Sequence, residues 1–505
     1  MFPMPVSTLS PLPPILYCKY TGRVFVRSLN NYNLTCNVVL DAQLYCKYPC
    51  NLWSQRMSLT LQIHWDYQWH DAGVIEFRDP DQGLRGSPTF SYDMDYALKA
   101  LERIEDFGHL DLIDRTAVGV NLPCILAGDY MNGEIVPILR DIIPQGAGRR
   151  HWVKSLGYDR DPEHRIDFQL LAEGCVGPVG NLRIKEAAEA FESQVARSEV
   201  VLFDREEVCT RADSLIQYAH SLHVAIGGAT GAGGDAPKLL LVENHYGQFA
   251  LEGTIPDEEI ARHWLVKFPR GRKTSDDIRV LGGEAAVYQF LEKRGFNAIT
   301  GAAFDDIHGD VALWLPRFDR EVREDGILRH GMESVYSMMG VIGDGARLDH
   351  VDVIRKLQDY VTKPEDKDAV LADYLVRDVL NTATGNRDNH GRNTSLIKRG
   401  HNIELAPAYD IAPMVLDPES IAMSTWWPHH LLDQRRNPDY SLILEELAVN
   451  PKAAASIMES ELLKLKDMKA GLKLYGAPDA MLNHIAIRMH EPELVHDQLE
   501  RLLCP

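Results

Sequence analysis

No stretch of this 505-residue chain is apolar for long enough to cross a bilayer as a helix. Positive charge is also scarce. Against 73 Asp and Glu stand 53 Lys and Arg, a formal net charge of −20, which argues against a broad nucleic-acid-binding surface because phosphate contacts need clustered cations. Two local basic runs, Arg149-Arg150 and Arg270-Gly271-Arg272-Lys273, read as solvated faces, with phosphate or protein contact as the other reading. Cysteine is sparse and unpatterned. Cys18, Cys36, Cys46 and Cys50 lack the second pair that would close a zinc site, and Cys124, Cys175, Cys209 and Cys504 lie far apart and are expected to be reduced in cytoplasm. The chain has no Walker A sequence, no Rossmann fingerprint, no repeat of solenoid period and no evident helix-turn-helix. What remains is an ordinary soluble composition, 45% hydrophobic and 25% charged, on a chain long enough for two or three domains.

The first 56 residues differ in texture from the rest. They are rich in Pro, Asn and Tyr, repeat Tyr-Cys-Lys-Tyr at 17–20 and 45–48, and lack the basic start, apolar core and cleavage site of a secretory signal. Met57 directly precedes the alternating run Ser58-Leu59-Thr60-Leu61-Gln62-Ile63, so the folded protein is expected to begin there, after an unstructured or non-native extension, 1–56. Short strands, a helix at Met94–Glu105 and the turn Asp79-Pro80-Asp81 follow. A turn and strand are expected over Val176–Ile184 and a helix over Lys185–Val195. Strand patterns then dominate to about residue 320. Helical patterns prevail afterwards: Val351–Tyr360, Lys367–Leu380, Tyr440–Ala448 and Ala453–Leu472. Mostly sheet followed by mostly helix predicts an α+β, bilobed organisation with a cleft between the lobes.

The chemistry concentrates in Gly385-Asn386-Arg387-Asp388-Asn389-His390-Gly391-Arg392-Asn393, followed by Tyr409-Asp410 in the next strand-like segment. Phosphoryl transfer from ATP needs one carboxylate to take the acceptor proton, and an amide oxygen and a second carboxylate to hold magnesium. The Asp-x4-Asn spacing is that of a protein-kinase catalytic loop, although the His-Arg-Asp tripeptide is absent. A polar Asn/Asp/Gly turn explains this run equally well by itself. Upstream lies the glycine-rich turn 227–238 between His223-Val224-Ala225-Ile226 and Leu239-Leu240-Leu241-Val242, a hairpin whose backbone amides can approach phosphate oxygens; a plain flexible hairpin is its simpler reading. Trp264-Leu265-Val266-Lys267-Phe268-Pro269 places one Lys on an apolar strand, either guarding an edge or reaching phosphates. A helix over Gly283–Leu291 begins with Glu284 as that lysine's potential partner. Leu313–Arg320 occupies the place of a strand entering an inter-lobe hinge.

In that order, these motifs resemble the HipA-type serine/threonine kinases, the toxin components of bacterial toxin–antitoxin systems. The resemblance is carried by Gly385-Asn386-x-Asp388-x-His390-Gly391-x-Asn393, by Leu405-Ala406-Pro407-Ala408-Tyr409-Asp410-Ile411 and by Arg317-Phe318-Asp319-Arg320, and Pro237-Lys238 and Val266-Lys267-Phe268-Pro269 also fit. Weaker similarity extends to Phe90–Tyr96 and to Leu139-Arg140-Asp141-Ile142-Ile143-Pro144-Gln145-Gly146.

The resemblance implies a protein-kinase-like fold: an N-terminal β-rich subdomain at 57–200, a β-rich nucleotide-binding lobe at 201–320 and a largely helical catalytic lobe at 321–505. It implies Asp388 as catalytic base, Asn393 and Asp410 as magnesium ligands, and Lys267 as the phosphate-binding lysine. Gly231, Gly233, Gly234, Lys238 and the Phe318 backbone would contact ATP, and His390 would brace the loop. The implied partners are a cytoplasmic protein substrate, such as an aminoacyl-tRNA synthetase, and a helix-turn-helix antitoxin through which alone DNA is reached. Two departures stand out. Gly231 lies near the place of the family's autophosphorylated serine, with Thr230 the nearest hydroxyl, and Pro316 replaces the acidic residue before Arg317. A small-molecule kinase and a catalytically weak antitoxin-binding scaffold are the competing functions.

Overall fold

The computed structural model describes residues 58–102, 114–158, 165–222, 237–270, 274–343, 345–360, 366–417 and 423–503. The contacts divide the chain into Met1–Gln55 and Arg56–Pro505, and all described residues belong to the second unit. The Tyr-Cys-Lys-Tyr repeat, the first four cysteines, Cys504, the strand 223–226, the glycine turn with Thr230, Gly231, Gly233 and Gly234, and residues 271–273 lie outside the described residues.

The run from Ser58 forms a strand because its alternate residues are apolar. Leu59, Leu61, Ile63 and Trp65 all point into one core. The strand joins a five-stranded antiparallel sheet in the order Asp129–Tyr130, Thr89–Tyr92, Gln68–Glu76, Ser58–Trp65, Leu182–Ile184. Residues of helices Asn132–Ile142 and Asp167–Gly174 share its core. Arg149 corrects one reading of the sequence. Its guanidinium turns inward and pairs with the fully buried carboxylate of Asp167, while Arg150 stays exposed.

A second five-stranded antiparallel sheet runs Phe249–Leu251, Lys238–Asn244, Ile260–Lys267, Asp310–Pro316, Ala303–Ile307. Its faces follow the two-residue period of the strands. Trp264, Val266, Ala312 and Trp314 pack on one side, with Val208, Leu215 and Ala219 of two short helices, Arg205–Thr210 and Asp213–Ser221. Those helices interrupt the stretch in which strands were expected to dominate. Leu313 and Leu315 face the other side, against Leu281, Ala285 and Tyr288 of helix Ser275–Lys293.

That helix starts nine residues before Glu284, where the pattern had placed its first turn. A capping box opens it: the Thr274 hydroxyl accepts from the Asp277 amide, and the Asp277 carboxylate accepts from the Thr274 amide. The interior pair Gly282-Gly283 hid the continuity. Gly283 is there for clearance, because a Cβ would stand 2.6 Å from the Pro413 ring.

Six further helices, His350–Tyr360, Lys367–Thr384, Tyr440–Leu447, Pro451–Lys464, Met468–Leu474 and Glu491–Leu503, supply most of the largest core. The single helix expected over Ala453–Leu472 is broken at Leu465–Asp467, where Asp467 adopts a left-handed φ of 57°. A three-stranded sheet, Gly331–Ser334, Ser395–Arg399 and Asn402–Leu405, carries the loops that follow. Among the described residues, Cys124, Cys175 and Cys209 are buried free thiols, and no helix is long and apolar enough to cross a membrane.

Candidate active site

Lys267 ends a central strand of the second sheet, paired with Lys238 on one neighbour and Leu313 on the other. Leu313 faces helix Ser275–Lys293, and so does Lys267. Its ammonium donates to Glu284 Oε1 at 2.7 Å and to the carboxylate of Asp410. Tyr288, one turn beyond Glu284, completes the cluster. Its hydroxyl donates to Glu284 Oε1 at 3.1 Å and accepts the Asp410 amide at 2.6 Å. Asp410 does not sit on a strand as expected; it follows Asn402–Leu405 in a loop, with a left-handed φ of 57°.

The Asp388 loop leaves the long helix Lys367–Thr384 at Gly385, whose φ of 72° terminates the helix. Asn386 then ties three segments together. Its amide nitrogen donates to Asn381 Oδ1 at 3.0 Å and to the Asp410 carbonyl at 3.2 Å, and its oxygen accepts the Asp388 amide at 3.1 Å. The Asn393 side-chain nitrogen closes the loop by donating to the Asp388 carbonyl at 2.6 Å, so that only its amide oxygen could serve a metal. His390 Nε2 lies 3.5 Å from Asp388, and its Nδ1 accepts the Arg392 amide. Thr425 and Ser424 hold Asn389 from outside.

Burial raises the Asp388 carboxyl above its ordinary range, the nearby Asp410 adding to it and His390 opposing. For Asp410 burial acts in the same sense, but Lys267 and Lys238 outweigh it and hold the carboxylate well below its usual range. Lys267 is correspondingly raised, despite its burial. Glu284 is raised by burial, since its share of the Lys267 charge is divided with Asp410. Lys238 is lowered, chiefly by desolvation. The ammonium groups of Lys238 and Lys267 thus face Glu284, Asp388 and Asp410, and the Arg270 guanidinium also acts on Asp388.

Two adjoining cavities meet at Lys238, Lys267 and Asp410. One, of ≈ 870 Å³, has apolar walls from Leu265, Ile299, Leu315 and Phe318, and also takes in Asn393. Apolar walls with a few convergent polar groups are the character of a small-molecule site. The other, of ≈ 620 Å³, opens toward Asp388, Asp276, Asp277 and Asp417. Phe318 packs against Tyr409 at 5.9 Å. Its neighbours are locked by a buried network in which Arg317 pairs with Glu252 at 2.5 Å and Asp319 at 2.6 Å, and Arg320 reaches Asp319 and the Gly180 carbonyl.

The structure therefore gathers Asp388, Asn393, Asp410, Lys238, Lys267 and Phe318 around the two cavities, with His390 behind the loop. Sequence reasoning gave no role to Tyr288, Asn386, Tyr409 and Arg392, although Asn386 and Tyr409 stand in the motifs quoted above. Tyr288 had a signal, its position four residues after Glu284. Tyr409 was quoted beside Asp410, but nothing local announced that its hydroxyl donates to the Arg392 carbonyl at 2.6 Å.

Residues 230–467 match the family model described as the HipA-like C-terminal domain. Over a wider span the fold is that of HipA from Shewanella oneidensis MR-1, solved in a toxin–antitoxin complex with HipB and its operator DNA. The TM-score is 0.55 at 17% identity, covering 88% of this chain and 97% of that one. The Helicobacter pylori proinflammatory kinase CtkA is more distantly similar, with a TM-score of 0.32 and 12% identity over 48% of this chain and 89% of its own. No curated protein matches the chain by sequence.

Proposed function

We propose that this protein is an ATP- and magnesium-dependent serine/threonine protein kinase of HipA type, bilobed, with the nucleotide between the second sheet and the helical region. One observation carries the reading: Lys267 is joined at once to Glu284 and Asp410, at the wall of a cavity that also takes in Asp388. A solvated edge lysine would have no such partners.

Asp410 and the Asn393 oxygen would hold magnesium, which supplies the positive charge that offsets the phosphates. Lys267 and Lys238 would meet phosphate oxygens, with Gly231, Gly233 and Gly234 of the glycine turn over them. The Phe318 backbone would meet the adenine edge, between the apolar walls formed by Leu265, Ile299 and Leu315. Asp388 would orient the acceptor hydroxyl and take its proton; its raised affinity for a proton suits a base. His390 would keep that carboxylate in place. We assign the residues 57–200 to an N-terminal subdomain, 201–320 to the nucleotide lobe and 321–505 to the catalytic lobe.

The HipB and operator DNA in the Shewanella complex favour a helix-turn-helix antitoxin as partner, with DNA reached through it. A net charge of −20 agrees with indirect contact. The substrate would be a cytoplasmic protein, with an aminoacyl-tRNA synthetase the first candidate, and its phosphorylation would arrest growth. Incubating purified protein, labelled ATP and magnesium with a cell lysate tests this. Label should enter protein serine or threonine with wild type and not with Asp388→Ala. Label confined to the low-mass fraction would instead establish a small-molecule kinase.

A further inference from the structure

We infer that Asp141, on the last turn of helix Asn132–Ile142 in the first α/β layer, is a positioning residue for phosphotransfer that acts through Arg392; the inference rests on the kinase reading above. The two residues are 251 positions apart, yet the Arg392 guanidinium donates to Asp141 Oδ1 at 2.8 Å and to the neighbouring Arg140 carbonyl at 3.2 Å. Both side chains are nine-tenths or more buried. Ser334 aligns the carboxylate from a second side, donating its amide to Oδ2 at 2.8 Å and its hydroxyl to Oδ1 at 2.7 Å.

What singles this pair out is where it lands. Arg392 lies in the spacer between Asp388 and Asn393, a loop outside helix and strand in which the Asn393 amide donates to the His390 carbonyl at 2.8 Å. Its backbone carbonyl accepts from Tyr409, the residue before Asp410, and its amide donates to His390. Its guanidinium lies 5.7 Å from the Tyr336 ring, which stacks on His390 at 6.2 Å, while the Tyr336 amide bonds the Gly391 carbonyl. A shift of Arg392 would therefore move Asn393 on one side and His390, the neighbour of Asp388, on the other.

Charge gives the pair a second task. Asp141, Ser334, Arg392 and Asn393 all line the ≈ 870 Å³ cavity. A lone buried carboxylate there would repel an anionic nucleotide, and the guanidinium compensates it. Helix Asn132–Ile142 thus acts as a brace for the loop, and the first layer is part of the catalytic unit.

The test is the steady-state kinetics of Asp141→Asn, which keeps the shape and removes the charge. We expect kcat to fall about 10- to 100-fold, the usual result of a small misplacement of catalytic groups, with the KM for ATP within about twofold. In an Arg392→Gln background the same change should cause little further loss, because the two act as one unit. A wild-type kcat in Asp141→Asn, or losses that multiply in the double variant, would overturn the inference. Should Asp141→Asn fail to fold, Arg392→Lys tests the link from the loop side. Lys keeps the charge but cannot span Arg140 and Asp141 together, so kcat should again fall with the KM held, and an unchanged kcat would refute the brace. Failure of the kinase reading itself would look different: wild type would transfer no phosphate.

Discussion

At the scale of single residues, the site is organised by competition for one ammonium group. Lys267 bridges Glu284 and Asp410, and removing it would leave two buried carboxylates together beside Asp388. Lys267→Ala is therefore expected to impair ATP use and also to destabilise the fold by about 3 kcal/mol, since a buried charge stripped of its partner is costly. Equilibrium denaturation in urea measures the second effect. Glu284→Ala should reproduce part of the loss of activity, because Lys267 keeps Asp410. A double-mutant cycle on kcat/KM should show the two losses to be non-additive; simple additivity would remove Glu284 from the site. Asn393→Ala should cost less than Asp410→Ala, because it withdraws a neutral ligand and the loop-closing bond to the Asp388 carbonyl.

At the scale of elements, Gly385 is the point where helix Lys367–Thr384 gives way to the Asp388 loop. Its φ of 72° is one that other residues rarely adopt, and a Cβ would stand 2.7 Å from Ile487 and 2.8 Å from Val415. Gly385→Ala is expected to lower stability by about 2 kcal/mol or more, through backbone strain and overpacking. A clear drop in melting temperature, with kcat falling as the loop shifts, would show it; an unchanged melting temperature would mean that the loop does not need this turn. Local signals made part of this architecture legible from sequence. The five-residue step from Asp388 to Asn393, the lone Lys267 in an apolar strand and the strand starting at Ser58 each lie within a few residues. The start of helix Ser275–Lys293 was missed because Gly282-Gly283 interrupts its pattern and Asp277, not Glu, completes the cap. The break at Leu465–Asp467 carries no Gly or Pro to announce it. Asp141 and Arg392 were not legible as partners, because only the fold brings them together.

At the scale of the whole molecule, buried histidines are expected to weaken the fold in acid. Burial, helped by the Arg329 and Arg320 charges, lowers His64 from 6.5 to about 3, and burial lowers His263 and His350 as well. A folded-state value below the unfolded one means that the unfolded chain takes up the proton first. The stability involved is complete above about pH 6.5 and is lost as pH falls toward the folded values. His64 alone should account for about 2 kcal/mol between pH 7.5 and pH 5, measured as a change in unfolding free energy. His64→Gln should flatten that slope, and an equally steep slope in the variant would acquit His64. The central claim concerns the convergence of Lys238, Lys267, Asp388, Asn393 and Asp410 on adjoining cavities, proposed as a magnesium–ATP phosphotransfer site. Its most direct test is transfer of labelled γ-phosphate from ATP to protein, with magnesium or with chelator, by wild type and by Asp410→Ala. The account predicts labelling by wild type only when magnesium is present, and a rate about 100-fold or more lower in the variant. Labelling by Asp410→Ala at the wild-type rate, or labelling indifferent to the metal, would contradict it.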